Sequence, residues 1–513
     1  MTDIMGNENL RTLWDGLSRQ RGAHTFLAYQ DREGARAQFT YREFDGRINR
    51  AANLFLQLGV RPQENVALHL HNSPEFLMCL FGLAKIGAVA VPLNIHQTAE
   101  ECAFVFDRCA VRFVITEQQF LCCYEGEGAC PAERIVFVGE GAPSGAVAFD
   151  EGCAAQPTML TEERSIDSSD VCEILFTSGT TSCPKGVELT HANMLFGGLY
   201  GDWQLSVTGE DRVLSTMPAC HSNFQLSALM PVLTAGATLL FVQKYSARRF
   251  WRQVRELRAT VIQLVAMMAR TLMLQPVDPA ERDHSVREVQ YYLAISNEEK
   301  TAFEDRFGVR LLNSYGLTES VGWVLTDPPR GERRWPSVGR AGIGYEVEVF
   351  DDAGHACPPG EVGEIRIKGE PGRTLMKGYH RDPEATARTY DEHGWMRTGD
   401  KGYRDESGWF YFIDRKCNML KRGGENVSAS EVEETIMEHP SVKEAAVIGV
   451  PDPIWDQAVK AFIVLEDGAR LTECELKQYC LGRLAEFKVP SIVVFVPDLP
   501  HTSVGKVAKK LLA

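Results

Sequence analysis

The stretch TSGTTSCPKG, residues 177–186, holds three threonines, two serines, two glycines, a proline and a lysine directly after the mostly apolar run 171–176. Gly, Ser, Thr and Pro make solvated turns, so composition alone leaves an ordinary turn open. The same residues also suit a phosphate cradle. Glycines let backbone N–H groups approach an anion, hydroxyls add donors, and Lys185 adds a positive charge. A Walker loop is excluded, because no Gly-Lys is followed by Ser or Thr at the required spacing; Gly505-Lys506 runs into Val507.

Three further stretches bear on the choice: NSYGLTES (313–320), RTGDKGYRDESGWFYFIDR (397–415) and LPHTSVGK (499–506). With the opening loop they stand in the order and rough spacing of motifs of the adenylate-forming superfamily of acyl-CoA synthetases, which the chain resembles over nearly its whole length. NRAANLFLQLGV, FGLAKIGAV, QKYSARRFW, RWPSVGR and DRKCNMLKRGGENVS resemble in particular the bacterial carnitine/crotonobetaine-CoA ligases.

The resemblance implies a two-step reaction. A carboxylate is a poor acyl electrophile, so it first attacks the α-phosphate of ATP; the acyl-adenylate is then opened by the thiol of coenzyme A. Bringing an anionic acid to a polyanion demands positioning and well-placed cations. By resemblance Thr177, Ser178, Gly179, Thr180, Thr181 and Lys185 hold the β- and γ-phosphates. Lys506 reaches the carboxylate and α-phosphate, Thr318 lies near the α-phosphate, and Glu319 coordinates Mg²⁺. Tyr315 packs on adenine, while Asp400 and Arg415 take the ribose hydroxyls. One carboxylate suffices for Mg²⁺, which takes its remaining ligands from phosphate and water. For the second step the family rotates its small C-terminal domain about a hinge, here Cys417, and brings Gly423 and Gly424 to the site in place of Lys506. Taken singly, Lys506 is an ordinary tail lysine, Glu319 and Asp400 are surface carboxylates and Tyr315 is a core aromatic; their joint order carries the inference.

Two departures from the family pattern stand out. Cys417 occupies a position more often Asp or Lys, and YYLAISNEEK (291–300) lacks the glycine of a turn that contacts adenine and substrate in many relatives. His221, in PACHSNF, is a candidate wall or gate of the acyl site, or a packed histidine. The subgroup resemblance implies a short acid with a trimethylammonium group, which aromatic faces recognise. Trp203, Phe224, Trp323 and Trp335 are available, as cage or as core.

The elements that must position these residues read as α/β. Residues 41–60 place Phe44, Ile48, Ala51, Leu54 and Phe55 near helical spacing, with Gly59 as a stop. Ser73 and Pro74 start a helix as N-cap and N1. Strands are expected near 88–91, 113–116, 135–138, 238–242 and 261–264, and their alternation with helices favours a parallel, doubly wound arrangement. From about 337 to 414 close-set strands and turn signals give a β-rich subdomain. Residues 1–414 are expected to form an N-terminal adenylation domain and 415–513 a small mobile α+β domain, in which Ser428 and Glu431 form a capping box and Val432 and Ile436 an apolar face.

At 513 residues and 44% apolar content, the chain carries more than one core. Its N-terminus has neither a basic nor an apolar leader region, so a cytoplasmic location is expected. The apolar stretch 226–242 is broken by Ser227, Pro231, Thr234 and Gly236, so it is read as helix, turn and strand and no membrane span is expected. A net charge of -15 argues against nucleic acid as a partner. From Arg415 onward 13 Lys and Arg meet 14 Asp and Glu, so the cations available to a polyanion come late. Fourteen cysteines show neither a CxxC pair nor His/Cys metal spacing, and are read as reduced thiols. Three other functions remain beside ligation of a betaine acid to CoA: ligation of another short, medium-chain or aryl acid, adenylation for a carrier protein, and a non-catalytic nucleotide or acyl-CoA sensor. The end of the sequence at Ala513, with no carrier segment, weakens the carrier-protein function.

Overall fold

A computed structural model describes residues 6–125, 130–177, 184–292, 295–415, 419–500, 507 and 509–512. Two large sheets dominate the first part of the chain. One has nine strands, among them Leu311–Tyr315, Glu288–Tyr292, Val261–Val265, Arg212–Ser215 and Thr238–Val242, mutually parallel in that spatial order. The other has eight, with Val171–Thr177, Val89–Pro92, Asn65–His69, Phe113–Glu117 and Ile135–Val138 as its parallel centre. Thr238–Val242 and Val261–Val265 are buried at every position, as expected of strands covered on both faces. One continuous core joins both sheets through the helices Tyr41–Gln57, Pro74–Lys85 and His191–Leu205.

Local signals explain the element boundaries. Ser73 accepts the Phe76 N–H at 3.1 Å, and Pro74 opens the helix. Gly59, just past Tyr41–Gln57, takes the left-handed φ of +73° that a side chain resists. The stretch 226–242 resolves into a π-turn, Gln225–Leu229, the helix Met230–Ala235 and the strand Thr238–Val242. No helix among the described residues is long and apolar enough to cross a membrane.

After residue 340 an antiparallel four-stranded sheet follows: Glu346–Phe350, Gly363–Lys368, Met396–Arg404 and Phe410–Arg415. A separate five-stranded sheet holds Glu425–Ser428, Met419–Arg422, Asp456–Leu465, Val442–Asp452 and Ile492–Phe495, with its own core that includes Val432 and Ile436. The capping box expected at Ser428 is only half formed. Ser428 accepts the Glu431 N–H at 3.3 Å, but the Glu431 carboxylate turns away to Lys488, a buried ammonium that offers a stronger, charge-assisted bond than a backbone N–H.

Candidate functional site

Three site residues stand at the carboxyl ends of their strands: Thr177, Tyr292 and Tyr315. Side chains from separate elements converge at strand ends in α/β sheets, which is where ligands bind. They wall a cavity of about 1080 Å³ that also reaches Lys185, His221, Thr318, Glu319, Asp400 and Gly424. That volume is at the top of the range for small-molecule sites and suits a nucleotide with a second substrate.

The opening stretch is flanked by an antiparallel strand pair. Val171–Thr177 pairs with Lys185–Thr190, Thr177 opposite Lys185. Both ends line the cavity, whereas Ser178, Gly179, Thr180 and Thr181 lie outside the described residues. Lys185 Nζ sits 4.8 Å from the centre of the Tyr379 ring, and the Tyr379 hydroxyl donates to Glu319 Oε1 at 2.9 Å. Cation, phenol and carboxylate thus form one row at the mouth of the loop. Thr318 shares a hydrogen bond with Ser222 at 3.1 Å between hydroxyls.

Asp400 and Arg415 face each other in register across adjacent strands, and buried Tyr315 donates its hydroxyl to Asp400 Oδ2 at 2.7 Å. The Arg415 side chain, Cys417 and Lys506 lie outside the described residues. Gly423 and Gly424 form the two-residue turn between Met419–Arg422 and Glu425–Ser428, with φ of +60° and +96°. A turn with both central residues left-handed is what Gly-Gly supplies. A Cβ on Gly423 would also lie 2.5 Å from the Trp455 ring.

That turn aims Glu425 into the cavity, where His221 Nε2 lies 2.9 Å from Glu425 Oε1 and Asn94 donates to the same oxygen at 3.3 Å. For His221, burial lowers the pKa, but the Glu425 charge and hydrogen bond outweigh it and the net shift is upward. For Glu425, burial raises the pKa, yet His221 leaves it below the usual carboxylate value. Both shifts favour the ionic form of the pair, and His221 stands in the cavity wall rather than in the core.

Of the four aromatics, Trp323 and Trp335 line the cavity; Phe224 stacks on Phe241 in the core and Trp203 packs on Tyr200. Trp323 lies 4.6 Å from Tyr292, whose hydroxyl accepts from Asn223 at 2.7 Å. Tyr292 belongs to the glycine-free segment, in which residues 293 and 294 lie outside the described set and Ile295 reaches the cavity.

Sequence motifs did not point to Tyr379, Asn94, Glu425 or the bridges that join the two parts of the chain. Lys488 Nζ donates to Glu101 Oε1 at 2.5 Å and Glu431 Oε1 at 2.8 Å, and Arg270 pairs with Asp456 at 2.7 Å. Only Glu425 carried a signal, its place directly after Gly423-Gly424. The described cysteines are free thiols, and the fold gathers Cys102 and Cys123 with His69, a grouping that no local spacing shows.

Comparison with known proteins follows the same geometry. The AMP-binding enzyme family matches residues 17–380, and the AMP-binding enzyme C-terminal domain matches residues 431–506. A crotonobetaine/carnitine–CoA ligase of Salmonella paratyphi B is 47% identical over 99% of this chain and 100% of its own. An o-succinylbenzoate CoA synthetase double mutant from Bacillus subtilis, bound with its product analogue OSB-NCoA, superposes with a TM-score of 0.86 at 26% identity, covering 99% of this chain and 98% of its own. ATP-bound MatB from Rhodopseudomonas palustris superposes at 0.70 with 28% identity, covering 98% of each chain.

Proposed function

The chain belongs to the AMP-binding enzymes and is an ATP-dependent acid-thiol ligase that forms an acyl-adenylate and then an acyl-CoA thioester, and from that premise we propose that its acid is crotonobetaine, carnitine or γ-butyrobetaine. The observation that carries the substrate reading is the 47% identity over full length to a ligase named for such acids. The pairing of Trp323 with Tyr292 in the cavity wall supports it, since a trimethylammonium group offers no N–H and is held by aromatic faces.

For adenylation, Thr177 through Thr181 with Lys185 cradle the departing pyrophosphate, and Lys506 steadies the acid against the α-phosphate. Asp400 and Arg415 take the ribose and Tyr315 the adenine. Glu319 faces the cavity as a carboxylate already held by Tyr379, with Thr318 beside it, and this hard-oxygen set fits Mg²⁺. Bound there, the ion would neutralise phosphate charge as it accumulates.

We assign the described arrangement to thioester formation, with the junction of the two domains at residues 414 and 415. Gly424 and Glu425 stand in the cavity wall, and the superposition is tighter on the protein holding a CoA analogue than on the one holding ATP, at similar identity. Pyrophosphate release measured across a panel of acids, with and without CoA, tests both claims. Crotonobetaine is expected to give ATP-dependent release that becomes multiple-turnover with CoA. Equal activation of a neutral acid of matched length would refute the betaine assignment.

A further inference from the structure

His69, Cys102 and Cys123 lie outside the cavity and take no part in either half-reaction. They come from three elements: the end of the strand Asn65–His69, the first turns of the helix Ala99–Cys109 and the 3-10 segment Gln118–Tyr124. The fold brings one ring nitrogen and both sulfurs within 4.8 Å of one another. Ligands on a tetrahedral zinc ion stand ~3.8 Å apart for two sulfurs and ~3.6 Å for nitrogen and sulfur, so the cluster needs to close by about an ångström at most. We propose that His69, Cys102 and Cys123 bind one zinc-type cation, leaving a fourth position for solvent.

The surroundings prepare the ligands. His69 is fully buried, stacked on Phe120 at 4.1 Å with ring planes 10° apart, and its Nδ1 is 2.7 Å from the Tyr124 hydroxyl. These contacts fix the orientation of the ring before any ion binds. Nε2 is buried and makes no hydrogen bond of ordinary geometry among the described residues, although the Asn94 backbone lies near enough to weigh on its basicity. Cys102 is buried and Cys123 only half-buried, so Cys123 marks the side from which a soft cation enters.

Occupancy would act on the docking of the C-terminal domain. Glu101, beside Cys102, holds Lys488, and Thr98 gives its hydroxyl to the Arg483 carbonyl at 3.3 Å. Gln97 accepts the Cys123 thiol at 3.8 Å, while Asn94 meets Glu425. A cation tying Cys102 to Cys123 stiffens the segment from 94 to 102 on which those contacts stand.

Titrating the reduced, full-length protein with Co²⁺ is expected to give a thiolate-to-cobalt band with four-coordinate visible bands, saturating at one equivalent and bleached by Zn²⁺. Cys123→Ser should lose the band and weaken Zn²⁺ binding roughly a hundredfold or more. Cys122→Ser, at the exposed neighbour, should leave both unchanged. Amide exchange across 94–109 should slow on Zn²⁺ addition in the parent and not in Cys123→Ser. The site is overturned by the absence of a band, by a band that survives Cys123→Ser, or by one that Cys122→Ser removes.

Discussion

Replacing Lys488 by Met should uncouple the two half-reactions. The ammonium is buried between Glu101 of the N-terminal part and Glu431 of the C-terminal part, whose side chains are 11% and 12% exposed. With carboxylate oxygens 2.5 and 2.8 Å from the nitrogen, the two carboxylates are at most about 5 Å apart, and at an effective dielectric constant of about 20 their repulsion is about 3.3 kcal/mol once the cation is gone. Protonating Glu431 relieves part of it, because burial already raises that carboxyl, so the repulsion is the upper bound of the penalty. The penalty falls on the docked arrangement alone, because separation of the domains parts Glu101 from Glu431. Thioester formation from supplied acyl-adenylate and CoA should therefore fall by up to about 200-fold, while pyrophosphate release without CoA stays within about threefold. Glu101→Gln added to Lys488→Met should restore most of the loss, since Gln still accepts the Thr98 N–H that Glu101 accepts at 2.8 Å. Equal loss in both half-reactions, or no rescue by the second substitution, would refute the electrostatic reasoning.

Glu319→Gln should lower pyrophosphate release about a hundredfold or more, through loss of the proposed metal carboxylate, and Tyr379→Phe about tenfold, through loss of its hydrogen bond to Glu319; rates against Mg²⁺ concentration separate the two. Lys506→Ala should abolish adenylation yet spare thioester formation from supplied adenylate; equal loss of both contradicts the proposed division of labour. Trp323→Ala should raise KM for crotonobetaine about 3- to 30-fold with a smaller effect on a neutral acid, the range a lost cation–π contact spans. The His221–Glu425 pair sets a pH window for thioester formation. Its contribution is full between the ordinary carboxylate and imidazole values, fades as pH rises through the raised His221 pKa, and fades as pH falls through the depressed Glu425 pKa. Glu425→Gln should move the alkaline limb of that profile to lower pH, and an unmoved limb would remove His221 from the docking step.

What sequence made legible follows from the range over which each signal acts. Helix starts such as Ser73-Pro74 and largely apolar strands such as 238–242 are set by neighbours in the chain, and they appear within a residue or two of expectation. Thr318, Glu319, Asp400 and Tyr315 were legible only through motif order, and all four reach one cavity. The missed residues share another property: Tyr379, Asn94, Lys488 and Asp456 draw their roles from partners 57 to 387 positions away, so no local pattern marks them. The capping box at Ser428 shows the reverse case, in which a sound local rule gives way because Lys488 claims the Glu431 carboxylate. His69, Cys102 and Cys123 escaped metal-spacing rules for the same reason, as their separations were set by strand order rather than by a loop.

The contacts that dock the C-terminal domain have a common chemical character that fits an enzyme needing two arrangements. His221 with Glu425, Arg270 with Asp456 and Lys488 with Glu101 are ion pairs, and Thr98 with Arg483 is a neutral hydrogen bond. Burying ions costs most of what their attraction returns, so such an interface adds little net free energy while penalising any mismatch severely. An apolar interface of equal extent would hold the domain in one place at about 25 cal/mol per Å² of apolar surface buried and would slow its release. Ion pairs instead define one docked orientation closely and let it go cheaply, because each separated charge recovers its hydration. The separate core around Val432 and Ile436 would keep the domain intact in the proposed rotation, which would carry Glu425 out of the cavity.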